Sequence, residues 1–321
     1  MNTQSQSQTA AENSLHSAYL DPRKPGAKVA LMVGTMNFGK RTTEAESQRI
    51  VARALERGLT FFDTANVYND GESERILGRA LGKRRADAQI ATKMGIGRMS
   101  DPEGLAPERI AAAIDESLQR LGTGHVELYY FHKPDHSRPL EPSVAAMEKL
   151  AASGKVRAWG VSNFASWQIA EMLRMGKPRV SQVIYNLLVR QLELEYFRFA
   201  RTHGVHTTVY NPLAGGLLAG KPGQRFEVNK YYQQRYLSDR FFELVDAYKK
   251  VAAEAGLSLV ELSYAWIASR PEVDSILLGP ASVEQLDAGI DGCARELPAG
   301  VAARIDAIHS AYLGTDACYA R

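Results

Sequence analysis

The sequence predicts an α/β protein of the (β/α)8 TIM-barrel class, and three observations lead to this prediction. Segments typical of strands and of helices alternate from residue 29 onward, and eight strand-like segments can be distinguished. Repeated βα units form parallel sheets with right-handed crossovers, and eight such strands can close into a barrel. The length of 321 residues is long for an ordinary domain but usual for this barrel.

An open, doubly wound sheet is the alternative that the same alternation allows. Such sheets commonly carry the pattern Gly-x-Gly-x-x-Gly directly after the first strand. Here the first strand leads into residues 34–39, Gly-Thr-Met-Asn-Phe-Gly, which do not fit that spacing. The closed barrel is therefore the favoured prediction.

The predicted strands and helices follow one another in a regular order. The strands cover residues 29–35, 60–63, 89–93, 126–132, 156–161, 180–184, 206–210 and 273–278. The helices show apolar residues at helical spacing. They cover residues 44–57, 107–121, 142–152, 166–175, 192–203, 241–255 and 259–269. Thr43 and Glu46 have the spacing of a capping box before the first helix, and Gly122 is placed to end the second.

One connection is longer than the others. About thirty residues, 211–240, separate the seventh predicted strand from the next predicted helix, and loops of that length in compact domains are usually functional. The segment is basic and aromatic, and it follows a strand at the mouth where barrel enzymes carry their sites. We expect it to cover a ligand, with a solvated surface loop as the alternative.

Composition limits the partners and the compartment. The net charge of +3 gives no sign of binding to nucleic acid or to an anionic membrane, and no run approaches the roughly 18–20 apolar residues of a spanning helix. Residues 1–28 are polar, lack a secretory signal and are expected to form a flexible tail before one domain, residues 29–321. Cys293 and Cys318 have no metal-binding spacing, so we expect a reducing, cytoplasmic compartment and no metal.

Four ionisable side chains lie at or near the ends of successive predicted strands. Asp63 ends the second strand, Tyr68 follows five residues later, Lys93 ends the third strand and His132 ends the fourth. A tyrosine with its ordinary pKa of about 10 donates a proton poorly at neutral pH, and a nearby ammonium lowers that pKa. Asp63 would keep Lys93 charged, and Lys93 would tune Tyr68 as a proton donor.

These four residues suit the reduction of a carbonyl group. When a carbonyl carbon accepts hydride, its oxygen needs a proton, which Tyr68 can deliver, and His132 can orient that oxygen. Taken singly, each residue has an ordinary structural explanation. Asp63 could cap a helix, Lys93 could be solvated, Tyr68 could pack at the rim, and His132 could lie in the core. Their common position at strand ends favours the catalytic interpretation.

These segments resemble those of a known family. Residues 62–65 (Phe-Asp-Thr-Ala) with Tyr68, residues 92–93 (Thr-Lys) and residues 131–132 (Phe-His) resemble the catalytic segments of the aldo-keto reductases. Residues 154–164 also resemble a second signature of that superfamily. The resemblance extends over about residues 29–321.

Further segments resemble one branch, the aflatoxin-aldehyde and succinic-semialdehyde reductases. They are residues 34–36, 132–137, 185–186, 190–191, 211–221 and 318–321. The resemblance implies that the catalytic tetrad is Asp63, Tyr68, Lys93 and His132.

The same resemblance implies a cofactor site for NADPH. Ser162, Asn163 and Gln182 would hold the nicotinamide amide, and Tyr210 would stack on its ring. The segment after strand seven would wrap the pyrophosphate, since adjacent glycines let the backbone approach phosphate closely. Its residues are Asn211, Pro212, Leu213, Gly215, Gly216, Leu217, Gly220 and Lys221. Arg225, Gly279, Ser282 and Gln285 would lie over the adenosine end.

The resemblance also implies a substrate site and a function. Met36, Tyr232, Arg235 and Arg321 would face the substrate, and two guanidinium groups would favour carbonyl compounds with a negative charge. The expected activity is NADPH-dependent reduction of an aldehyde or ketone to the alcohol. The alternatives are a reductase of a sugar or other tailoring intermediate, and a cofactor-binding regulatory subunit like the potassium-channel β-subunits. The partners expected are a small carbonyl substrate and, as in many relatives, a second copy in a homodimer.

Overall fold

The computed structural model of the chain describes residues 17–97, 103–220 and 230–315. Eight parallel strands form a closed barrel in sequence order, and the last strand pairs with the first. The strands are β1 Ala30–Gly34, β2 Phe61–Asp63, β3 Gln89–Met94, β4 Val126–Phe131, β5 Val156–Ser162, β6 Val180–Ile184, β7 His206–Tyr210 and β8 Ser275–Leu278. All eight predicted strands are present, and the predicted barrel is confirmed.

Eleven α-helices surround the barrel within the described ranges. They are α1 Glu44–Glu56, α2 Glu72–Leu81, α3 Pro107–Leu121, α4 Glu141–Ala152, α5 Ser166–Leu173, α6 Tyr196–His203, α7 Lys230–Tyr236, α8 Asp239–Glu254, α9 Leu259–Ser269, α10 Val283–Ala294 and α11 Val301–Leu313. Four of them were absent from the sequence prediction, namely α2, α7, α10 and α11. The predicted segment 192–203 is helical in the α-form only from Tyr196, after a short 3-10 turn Gln191–Glu193.

The long connection after β7 differs from its prediction. Residues 211–240 were predicted as one continuous loop, but the described part contains a 3-10 helix, Ala214–Ala219, then α7 and the start of α8. Tyr236 of α7 is fully buried, so tertiary contacts hold this helix. Residues 221–229 lie outside the described residues.

The predicted capping box at Thr43 and Glu46 forms only in part, whereas Gly122 ends α3 as predicted. The Thr43 side chain accepts a hydrogen bond from Glu46 N and begins α1 as expected. The Glu46 carboxylate, however, accepts a hydrogen bond from Val283 N (2.9 Å), so it connects α1 to α10. Gly122 ends α3 with φ 65°, in the left-handed conformation that glycine adopts without strain.

The barrel interior and the layer between strands and helices form two apolar cores. Met32, Phe61, Leu128 and Val180 lie in the smaller cluster inside the barrel, and a much larger cluster packs the strands against the helices. Gly160 permits the close approach of two strands, because a Cβ atom there would lie 2.3 Å from Val180 O. Most strand residues are buried, on both faces of the sheet, as is typical of parallel strands under helices.

The chain before β1 closes the N-terminal floor of the barrel. The Tyr19 ring lies 4.5 Å from that of Phe61, its hydroxyl donates to Leu31 O (3.1 Å), and Leu20 is buried. Arg23 N donates to Asp274 Oδ1 (2.5 Å). The predicted boundary of a flexible tail at residue 28 is therefore too late, because the chain packs on the barrel from about residue 19. Residues 1–16 lie outside the described residues.

None of the described helices could by itself cross a membrane. The consecutive helices α8 and α9 meet the length and composition criteria only as a pair, and they are bent by 91° relative to each other.

Candidate functional site

The C-terminal ends of β2, β3 and β4 bring the four predicted catalytic residues together. Asp63 ends β2, Lys93 lies in β3, and His132 directly follows β4. Tyr68 begins the 3-10 turn Tyr68–Gly71 in the loop after β2. Lys93 Nζ lies 5.2 Å from the centroid of the Tyr68 ring, and the Tyr68 and His132 rings meet edge to face with centroids 5.8 Å apart. The side chains therefore form one cluster at the mouth of the barrel.

Asp63 and Lys93 form a completely buried ion pair. Lys93 Nζ donates to Asp63 Oδ1 and to Thr64 O (2.8 Å), and Asp63 Oδ2 accepts from Gln182 Nε2 (2.9 Å). Burial raises the pKa of Asp63 and lowers the pKa of Lys93, and the charge of each partner opposes the effect of burial on the other. Removal of either partner would therefore favour the neutral form of the one that remains.

His132 is held as a neutral imidazole. Burial lowers its pKa well below the usual 6.5, and the positive charges of Lys93 and Lys133 lower that pKa further. Its Nδ1 atom is buried and has no hydrogen-bond partner among the described residues. A neutral imidazole carries one N–H donor and one acceptor nitrogen, so His132 can donate to a carbonyl oxygen without bringing a charge.

A set of amide and hydroxyl groups lies beside this cluster, at the ends of β5, β6 and β7. Asn163 Nδ2 donates to Ser162 Oγ (3.1 Å) and to His132 O (3.0 Å), which connects the set to the cluster of Asp63, Tyr68, Lys93 and His132. The Tyr210 hydroxyl donates to Asn163 Oδ1 (2.8 Å). Burial raises the pKa of Tyr210, and the hydrogen-bonded guanidinium of Arg235 opposes that rise. Arg235 is exposed, so it lies at the rim.

The turn after β7 contains several residues in the left-handed backbone conformation. Asn211 has φ 62°, Gly215 φ 70° and Gly216 φ 108°, and Gly215 N donates to Asn211 Oδ1 (2.6 Å). Pro212 and Leu217 are buried, and Leu213 packs against the core, so the turn is anchored beneath its glycines. The N–H groups of Ala214, Gly215 and Gly216 donate within the turn, and the absence of Cβ atoms on the two glycines lets a ligand approach this backbone closely.

The loop after β8 and the start of α10 adjoin this region. A Cβ atom at Gly279 would meet nothing within 4 Å, so there is open space beside this backbone. Ser282 Oγ accepts from Gln285 N (3.4 Å), and Gln285 Oε1 accepts from Ala281 N (2.9 Å). Asn37, in the loop after β1, donates to Gly279 O (3.2 Å) and holds the two loops together.

Comparison with known proteins identifies the family. The profile of the aldo/keto reductase family matches residues 30–310. The chain belongs to this family. It is therefore an oxidoreductase that acts on carbonyl compounds, and the family uses NAD(P)H.

Individual relatives agree with this assignment. The chain is 35% identical to the human aflatoxin B1 aldehyde reductase member 2, over 83% of this chain and 82% of that protein. It is 33% identical to a probable voltage-gated potassium channel subunit beta of Oryza sativa, over 78% and 83% of the two chains. A solved glycerol dehydrogenase from Gluconobacter oxydans superposes with a TM-score of 0.77, at 26% identity, over 95% of this chain and 99% of that one. The sequence resemblance to the aldo-keto reductases and to their aflatoxin-aldehyde branch is confirmed.

Not every predicted site residue of this reductase can be located. Lys221, Arg225 and Arg321 lie outside the described residues. Met36 is exposed on the loop after β1, with 39% of its surface accessible. The Tyr232 ring is half-buried and lies 6.1 Å from that of Tyr236.

Sequence reasoning missed two buried residues near the site. Glu74 of α2 is fully buried and accepts hydrogen bonds from Thr92 Oγ1 (2.5 Å) and Arg120 Nε (2.5 Å), directly behind the β3 strand of Lys93. Tyr236 contacts Asn186 and Asn211 through its hydroxyl. The only sequence signal for Glu74 was its place in the Gly-Glu-Ser-Glu run after Tyr68. For Tyr236 the only signal was the aromatic character of residues 211–240, which does not distinguish this tyrosine from the others in the segment.

Proposed function

We propose that this reductase transfers hydride from NADPH to an aldehyde or ketone and releases the alcohol. The observation that carries the proposal is the buried Asp63–Lys93 pair, whose ammonium group lies 5.2 Å from the Tyr68 ring centroid. An ammonium beside a phenol favours the phenolate, which makes proton release from the hydroxyl easier. A purely structural barrel would not require a tyrosine beside this pair.

The chain's own groups have complementary roles in such a reaction. The nicotinamide, when bound, supplies the hydride to the carbonyl carbon. The Tyr68 hydroxyl gives its proton to the carbonyl oxygen, and Lys93 stabilises the phenolate that remains. The neutral His132 donates a hydrogen bond to the same oxygen and orients it. The substrate carbon thus gains a C–H bond, its oxygen gains an O–H bond, and Tyr68 is reprotonated from solvent.

The residues at the ends of β5 to β8 fit a nicotinamide dinucleotide. Ser162, Asn163 and Gln182 offer hydroxyl and amide groups to the carboxamide, and Tyr210 offers an aromatic face. The left-handed turn with Gly215 and Gly216 lets a pyrophosphate approach the backbone closely, because glycine has no Cβ atom. The preference for NADPH rests on the sequence of the same connection, where Lys221 and Arg225 supply positive charge for a 2′-phosphate.

A substrate panel tests the proposal. Aldehydes, ketones and sugars are offered with NADPH and with NADH while the loss of nicotinamide absorbance is followed. We expect turnover of aldehydes with NADPH and weaker use of NADH. In Arg225→Ala the preference for NADPH over NADH should become smaller. Arg84 lies in the exposed turn Gly82–Asp87 at the other end of the barrel, so Arg84→Ala should leave that preference unchanged. No turnover of any carbonyl compound would contradict the activity, and equal affinities for both cofactors would contradict the NADPH preference.

A regulatory subunit is the second candidate, and the similarity to a probable potassium channel β-subunit supports it. Such a subunit would bind the cofactor and a membrane protein. Stable association of the purified chain with a channel complex, together with negligible turnover across the panel, would favour this function over the reductase.

A further inference from the structure

A buried tyrosine hydroxyl connects the loops that follow β6 and β7. Tyr236 of α7 is fully buried, although the residues beside it in α7 and after it are exposed. Its hydroxyl oxygen accepts hydrogen bonds from Asn186 Nδ2 (3.1 Å), after β6, and from Asn211 Nδ2 (2.7 Å), after β7. A single oxygen therefore fixes two side chains from neighbouring strand ends.

Asn186 has little freedom within this network. It is fully buried, and its Nδ2 also donates to Asn211 O (3.0 Å). Its Oδ1 accepts from Leu188 N and Val189 N, both at 3.0 Å. Because these bonds fix its amide, Asn186 is a rigid support against which Tyr236 and Asn211 are held.

Asn211 is the residue on which the network converges. Its φ of 62° lies in the left-handed region, which asparagine adopts more readily than most other non-glycine residues. Asn211 Nδ2 donates to the Tyr236 hydroxyl oxygen, and this bond directs Asn211 Oδ1 toward Gly215 N (2.6 Å). One end of the Asn211 amide thus contacts α7, and the other fixes the first glycine of the turn proposed to face the pyrophosphate.

We propose that Tyr236 is a positioning residue for the dinucleotide, acting through Asn211 on the Gly215 turn and on the adjacent Tyr210. The inference rests on the proposed function, since it concerns the same cofactor site. Tyr236 does not belong to the catalytic cluster at β2 to β4, so its hydroxyl should affect cofactor affinity and not the chemical step. Without the hydroxyl, the N–H groups of Asn186 and Asn211 lose an acceptor, and the turn must be ordered when the cofactor binds.

The variant Tyr236→Phe removes the hydroxyl alone. We expect the Kd for NADPH, measured by titration of the intact chain, to rise about tenfold, because the hydrogen bonds from Asn186 and Asn211 are lost. The rate of a single turnover at saturating NADPH should stay within about twofold, because no group of the catalytic cluster is changed. Exchange of the Gly215 amide hydrogen without cofactor should become faster, because Asn211 Oδ1 is no longer held toward it.

Tyr248→Phe is the matched control. Tyr248 of α8 is also fully buried, and its hydroxyl donates to Leu187 O (3.2 Å), next to Asn186. Loss of the Tyr248 hydroxyl should lower the melting temperature but should change neither the Kd for NADPH nor the exchange of the Gly215 amide hydrogen. The double variant Asn211→Ala with Tyr236→Phe should bind NADPH no more weakly than Asn211→Ala alone, because both changes remove one interaction.

The outcomes separate this inference from the proposed function. If the parent protein binds neither NADPH nor NADH, the proposed function fails and the inference fails with it. If the parent binds NADPH but Tyr236→Phe changes the Kd by less than about twofold, or Tyr248→Phe changes it equally, only the inference is overturned. Additive losses in the double variant would overturn the action through Asn211. Unchanged exchange of the Gly215 amide hydrogen in Tyr236→Phe would also overturn the action through Asn211, and this measurement needs no cofactor.

Discussion

The two ends of the barrel each bury an aspartate and a histidine. Asp63 and His132 lie at the C-terminal mouth, and Asp274 and His206 lie at the N-terminal floor. In both places burial lowers the pKa of the histidine and keeps the imidazole neutral. The two ends are therefore alike in composition, and the difference between them lies in how their polar atoms are bonded.

At the floor the bonds are complete. His206 Nδ1 contacts Asp21 O (2.8 Å), and its Nε2 contacts Ser275 Oγ (2.9 Å). Asp274 Oδ1 accepts from Arg23 N (2.5 Å), and its Oδ2 accepts from Thr207 N (2.7 Å). Every one of these atoms has a partner within the chain, so this cluster stabilises the closure of the barrel.

At the mouth the bonds are incomplete. His132 Nδ1 has no partner in the described part of the chain, and the Asp63–Lys93 pair lies against the ring of a tyrosine that begins a loop. Buried polar atoms that a fold leaves unsatisfied are costly, so they persist where they serve another purpose. The two clusters therefore differ in spare bonding capacity more than in burial, and we expect reactivity at the mouth alone.

The largest effect expected from this comparison concerns Tyr68. In Tyr68→Phe the proton donor is lost, so kcat for carbonyl reduction should fall by about 10²–10⁴-fold. The Kd for NADPH should change little, because the ring beside Lys93 and the groups at β5 to β7 remain. Steady-state kinetics and a cofactor titration measure the two quantities. Turnover near that of the parent would show that the mouth is not reactive in the way proposed.

The next effect concerns the floor. Asp274→Asn replaces one acceptor oxygen with a donor and removes the charge beside Arg201 (3.0 Å). The free energy of unfolding should fall by about 2 kcal/mol, while kcat remains that of the parent. Urea unfolding and kinetics of the same preparation test both parts. A large loss of kcat with unchanged stability would reverse the assignment of roles to the two ends.

The mouth was accessible to sequence reasoning, and the floor was not. The C-terminal ends of all parallel strands in a barrel meet at one rim, so Asp63, Lys93 and His132 had to converge once the strands were recognised. The bounds of β6 and β7 were predicted as they occur, because short runs rich in Val, Thr and Ile have few alternatives. By contrast, Asp21 and His206 are 185 positions apart, and nothing local indicates their contact.

Two of the helices absent from the sequence prediction, α2 and α7, have compositions that conceal a helical pattern. In α2 the charged residues of Glu72–Leu81 obscure an apolar stripe formed by Ile76, Leu77 and Leu81. The residues of α7 are polar and aromatic, a composition that also suits a loop, and the fixed position of Tyr236 depends on Asn186 and Asn211. Tertiary contacts decide such segments, and a single sequence does not display them.

A smaller effect is expected from pH at the floor. Burial lowers the pKa of His206, so the folded protein keeps the imidazole neutral while the unfolded chain takes up a proton below about pH 6.5. The contribution of His206 to stability is therefore fully present above this pH and is lost as the pH falls through it. Urea midpoints measured between about pH 7.5 and 5.5 should decline, and less steeply in His206→Gln. Equal slopes in the two proteins would exclude His206 as the cause.

The smallest effect tests the rim of the mouth. The Arg235 guanidinium is exposed and forms a hydrogen bond with the Tyr210 hydroxyl. It retains further N–H donors for a substrate, whereas the groups at the floor have partners within the chain. Exposed charge pairs are weak, so in Arg235→Ala the KM for an aldehyde with a carboxylate should rise by only about threefold to fivefold. The KM for an uncharged aldehyde of similar size should stay the same. Lys230→Ala removes an exposed charge from the same helix and serves as the control. An equal rise for both aldehydes, or an equal rise in the control, would mean that Arg235 shapes the rim without recognising the substrate's charge.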